Sequence, residues 1–81
     1  MIGNLVYSLA GHDKDKIYLV IDESADYVWL ADGDIRTIDK PKRKNRKHIQ
    51  LIKQKLQGDA VTNETIKRTI KLYCKGMQEV K

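Results

Sequence analysis

The chain has one cysteine, one proline, no phenylalanine and five glycines in 81 residues, and each scarcity removes a class of protein. Cys74 alone cannot close an internal disulfide, and neither His12 nor His48 has a partner at metal-ligand spacing, so no metal site is expected. No apolar run approaches the roughly 18 to 20 residues that a membrane span requires. Met1-Ile2-Gly3-Asn4 also lacks the basic and long apolar stretches of a secretory leader. These absences predict a reducing, cytoplasmic setting with no cofactor and no membrane partner. A chain this short buries only roughly 60% of its unfolded surface, which leaves little room for a deep catalytic cleft. No nucleophile with a base and no carboxylate pair in a cleft is evident, so the protein reads as a non-enzyme. Asp32-Gly33-Asp34 does not make a calcium loop, because Trp29, Leu30 and Ala31 stand where further ligands would be needed. Asp13 and Asp15 read as solvated turn carboxylates around Lys14.

What the chain does have is charge, unevenly placed. Residues 1–35 hold two basic and seven acidic residues, a net −5; residues 36–47 hold seven basic and one acidic, a net +6; residues 53–81 hold seven basic and three acidic, a net +4. The twelve-residue basic window exceeds the +5 of the whole chain. A field so concentrated attracts polyanions, and nucleic acid is the first partner it implies.

The apolar residues predict mainly β structure. Leu5–Ala10 and Lys16–Ile21 are rich in β-branched and aromatic residues and are separated by a turn in which Gly11 supplies the bend. Tyr27–Ala31 reads as a third strand. Asp32-Gly33 is a hairpin signal that would return the chain through Ile35–Ile38 as a fourth. After Pro41 the basic loop 40–48 intervenes. His48–Ile52 then reads as a fifth strand by alternation, or as part of a basic helix from Lys42 to Gln57 by the spacing of Ile49, Ile52 and Leu56; the strand is preferred because it covers an open edge. Short strands joined by tight turns favour an antiparallel barrel over residues 1–56. Gly58-Asp59-Ala60 makes a break within residues 57–81, the C-terminal helical extension. Thr62 is placed to cap a helix from about Asn63 to Met77, with Val61 and Ile66 at staple spacing. Ile66, Ile70, Tyr73, Cys74 and Met77 form one stripe that would dock on the barrel, Lys67, Lys71 and Lys75 line another face, and Gly76 helps to end the helix. Cys74, on the stripe, reads as a structural thiol.

Tyr27 and Trp29 share a strand face by alternation and are the candidates for base stacking or for an aromatic recognition surface.

The segment from Gly3 to Val20, with Val6–Gly11 and the Asp13–Lys16 loop, followed by Ala31-Asp32-Gly33 and by Pro41-Lys42-Arg43-Lys44-Asn45-Arg46-Lys47-His48, resembles the KOW motif of several ribosomal proteins and transcription elongation factors. It is similar to short bacterial KOW-domain RNA-binding proteins related to the eukaryotic-type large-subunit ribosomal proteins fourteen, six and twenty-seven. The likeness covers roughly residues 2–52, and that family often carries glycine at the position of Asp15. It implies a small SH3-like (KOW) antiparallel barrel of about five strands with a C-terminal helix, non-catalytic, binding structured ribosomal RNA in translation, with ribosomal proteins as further partners. In such a protein Arg36, Lys40, Lys42, Arg43, Lys44, Arg46 and Lys47 would meet phosphates, with Lys14 and Lys16 as a second contact point and Asn45 and His48 facing sugar or base edges. The alternative is a protein-interaction adaptor that uses the aromatic and acidic face. DNA binding through the basic segment as a helix is a third option.

Overall fold

The structure, a computed structural model, describes residues 1–56 and 60–79, and for the helix from Met77 onward the backbone only. The predicted break at Gly58-Asp59 and the place of the Met77 side chain therefore lie outside the described residues. The protein is mainly β. Five strands, β1 (Asn4–Ser8), β2 (Ile17–Glu23), β3 (Tyr27–Ala31), β4 (Lys42–Asn45) and β5 (Ile49–Lys55), form one antiparallel sheet in the order β4-β3-β2-β1-β5, and a single helix, α1 (Asn63–Glu79), follows. A 3₁₀ turn, Arg46–His48, joins the two edge strands. The architecture is that of a small SH3-like barrel with a C-terminal helix.

Strand alternation builds two apolar layers on the two sides of this sheet. Val6, Tyr18, Val20, Val28, Leu30 and Ile49 fill the barrel interior. Leu5, Leu19, Ala31 and Ile52 point outward and receive Ile66 of α1, with Tyr7, Ile17, Ile70 and Tyr73 packed beside them. Register shifts between Asn4 and Val6 and between Val20 and Asp22 mark irregularities that curl the sheet. Tyr7 and Tyr73 meet hydroxyl to hydroxyl at 3.2 Å, a polar link between β1 and α1 at the margin of the outer layer.

Two assignments made from the pattern are corrected. Ile35–Ile38 is not a strand. The Asp32 carboxylate accepts the amides of Asp34 and Arg36, both at 2.8 Å, and so closes a local loop in place of a hairpin. The fourth strand lies in the basic window instead: Lys42–Asn45 pairs with Tyr27–Leu30, and Lys44 stands opposite Val28. With Ile49–Lys55 also a strand, the basic segment is not a helix.

The helix begins as its cap residues require. The Thr65 amide donates to Thr62 Oγ1 at 3.1 Å and the Thr62 amide to Thr65 Oγ1 at 2.9 Å, a reciprocal cap. Val61, the outer partner of the expected staple with Ile66, remains half exposed, at 48%, whereas Ile66 is buried. Gly76 does not end the helix, which runs on through it. The first turn is seated on the loop after β3. The Asn63 side-chain oxygen accepts the Ile38 amide at 2.9 Å. Gly33, at φ +80°, lies so close that a Cβ there would collide with the Asn63 carbonyl oxygen and the Lys67 side chain. Glycine is required twice over at this position, for its backbone angle and for its lack of a side chain.

Candidate nucleic-acid interface

The β1–β2 loop, the loop after β3 and the start of β4 meet at one end of the barrel. There Lys16, Arg36 and Lys42, far apart in sequence, line a concavity of about 150 Å³ with His12 and Ile35 beside them and Asp13, Asp32 and Tyr18 in its wall. Asp13 organises the site. It is 5% exposed, not the solvated turn residue its sequence context implies. Its Oδ1 accepts from Lys44 Nζ at 2.9 Å and from Ser8 Oγ at 3.0 Å, while its Oδ2 accepts from Lys42 Nζ at 2.8 Å and from the Tyr18 hydroxyl at 3.3 Å. Lys44 Nζ donates in addition to the Ala10 carbonyl at 2.8 Å. Burial alone would push the Asp13 carboxyl up, but hydrogen bonds from Lys42, Lys44 and Ser8, with the Lys44 charge, outweigh it and hold the group well below the usual carboxylate range. Tyr18 responds in the opposite sense: burial, then the neighbouring Asp13 charge, pushes its hydroxyl up to about 12.

This network divides the predicted phosphate contacts into two kinds. Lys44 is buried and bonded to Asp13 and Ala10, Lys42 is half-buried and tied to Asp13, and Arg46 donates to the Ser24 carbonyl at 2.8 Å and to Glu23 at 3.4 Å. These three fasten the edge strand β4 and the 3₁₀ turn to the rest of the barrel. Lys14, Lys16, Arg36, Lys40, Arg43 and Lys47 make no ion pair among the described residues and keep part of their surface open to solvent. Asn45 caps the 3₁₀ turn by accepting the Lys47 amide at 2.9 Å, which commits its side-chain oxygen, and His48 is exposed beyond it.

Tyr27 and Trp29 do share the outer face of β3, beyond the area that α1 covers. Trp29 stands across from Arg43 in the β3–β4 register. The Arg43 guanidinium carbon lies 4.7 Å from the Tyr27 ring centroid. A cation thus occupies one face of this tyrosine already, and an incoming base or ligand cation must displace it or stack on the guanidinium. Gly11, at φ +85°, makes the predicted bend after β1, and Asp15 nearby holds φ +72° without being glycine.

The chain matches no protein-family model and no curated protein. No helix among the described residues is long and apolar enough to cross a membrane.

Proposed function

We propose that the protein is a non-catalytic RNA-binding protein of the KOW kind, associated with the ribosome or its RNA. The observation that carries this reading is the convergence of the exposed Lys16 and Arg36 on one concave end of the barrel, beside the Asp13-bound Lys42. Asp13 is outweighed there by the ammonium groups of Lys42 and Lys44, Asp32 accepts two amides of its own loop, and Lys16 and Arg36 make no ion pair among the described residues. Exposed cations held on a rigid rim suit a phosphate backbone of fixed shape, and phosphate contacts position an RNA without reading its sequence. Lys14, on the β1–β2 loop, and Lys40, two residues before Lys42, are also exposed. Sedimentation of the native protein through a ribosome gradient, with and without ribonuclease, tests the proposal. Co-migration with ribosomal particles that ribonuclease abolishes is the expected result. A protein that stays with a partner after digestion is instead an adaptor.

A further inference from the structure

We infer that the groove between α1 and the barrel loops is a seat for a single unstacked nucleotide, an inference that rests on the RNA-binding reading. The groove is open, about 720 Å³, within the range of ligand sites. Three chemistries are sorted within it. Ile17 of β2 with Ile70 and Cys74 of α1 supply apolar surface. Lys67 and Lys71, one helical turn apart, stand with Arg68 along the α1 side, and Lys16 joins from the β1–β2 loop. Asp15, Asp32 and Asp34 belong to the loops on the barrel side, and the Asp32 carboxylate already accepts the Asp34 and Arg36 amides. None of the four cations makes an ion pair among the described residues, although carboxylates share the lining.

A nucleotide has the same division: a flat apolar-faced base, an anionic phosphate and a polar base edge. The phosphate belongs on the α1 side, among Lys67, Arg68 and Lys71. The base covers Ile17, Ile70 and Cys74. Its edge turns toward Asp15 and Asp34, which as carboxylates only accept hydrogen bonds. That rim favours a base edge bearing an exocyclic amino group, such as that of cytosine, over uracil, whose single N3–H donor is flanked by two carbonyl oxygens that repel an approaching carboxylate. Lys16 and Asp32 border both this groove and the concavity at the barrel end, so the two sites adjoin and one strand can run from the first to the second over Lys16.

Cys74, the one cysteine of the chain, reports occupancy of the groove. The full chain is alkylated with N-ethylmaleimide in the presence of hexacytidylate or hexauridylate, while fluorescence anisotropy follows binding of the same oligonucleotides and of a structured ribosomal RNA fragment. At about ten times its Kd, hexacytidylate should slow alkylation about tenfold, because mass action leaves only about a tenth of the sites open. Hexauridylate at that concentration should protect less. Lys67→Gln with Lys71→Gln should remove the protection while retaining most binding of the structured RNA. Unchanged alkylation with the oligonucleotide bound overturns the groove site and leaves the RNA reading standing. Failure to bind any of the RNAs overturns both. Equal protection by the two oligonucleotides overturns the role given to Asp15 and Asp34, and equal protection by hexaglutamate makes the occupant an acidic peptide.

Discussion

Asp13 shows how far a residue's role can lie from its local context. In sequence it is one of two aspartates beside a lysine; in the fold it holds two ammonium groups, a serine and a tyrosine at once. Asp13→Asn leaves Lys44 buried without its counter-charge, and removing one partner of a buried pair costs about 3 to 5 kcal/mol. Urea unfolding at pH 7 should record that loss. Because the folded-state pKa is depressed, the carboxylate's contribution is complete well above its unfolded value of 3.8 and declines as pH falls through that value toward the lower folded one. Wild-type stability should therefore drop below about pH 4, and Asp13→Asn should flatten this part of the acid-unfolding curve. Asp15 poses a separate residue-scale problem. Its φ of +72° is one that side chains other than glycine enter at a cost of roughly 1 to 2 kcal/mol, less for aspartate. Asp15→Gly should keep or raise the melting temperature, and Asp15→Val should lower it.

At the scale of elements, β4 and α1 divide what was legible from what was not. Strands β1, β2 and β3 and the helix follow from apolar spacing, with ends displaced by a few residues. Strand β4 was invisible because Lys42, Arg43 and Lys44 are all basic, so the period-two signal had no hydrophobic contrast. Their burial alternates all the same: Lys44 faces Asp13 inside, and Arg43 lies over Tyr27 outside. A buried acid in a distant loop makes that strand, and no local propensity expresses it. The same cause split the candidate site. Lys16 and Arg36 are available as read, whereas Lys42, Lys44 and Arg46 are spent on the fold, and their pairing with Asp13 and Glu23 could not be chosen from eleven acidic residues. Lys44→Ala should accordingly destabilise the protein. Arg43→Ala, which removes only the cation–π interaction with Tyr27, should cost no more than about 1 kcal/mol in the same urea titration. Ile66 is fully buried between α1 and the sheet. Ile66→Ala should cost about 2 to 5 kcal/mol in chemical denaturation, and Gly33→Ala should weaken the same junction by driving Asn63 away.

For the whole molecule, charge placement and topology act together. The acidic first part supplies Asp13, which neutralises the buried Lys44 and half-buried Lys42, and Glu23, which pairs with Arg46 nearer the surface, and the remaining positive charge is left on the outer rim, on β5 and on α1. Cations that hold the barrel are thus distinct from cations free to meet RNA. Salt dependence reads that division directly, since every phosphate that a variant no longer neutralises should reduce the slope of log K against log salt by roughly 0.7 to 0.9. The decisive measurement is a salt titration of binding to a structured ribosomal RNA fragment by the wild type, by Lys16→Ala with Arg36→Ala, and by Lys53→Ala with Lys55→Ala as a β5 control. The mouth variant should stay folded, bind more weakly and lose roughly 1.4 to 1.8 from the slope, with the control close to wild type. Equal slopes for all three proteins would contradict the assignment of the interface to the barrel mouth.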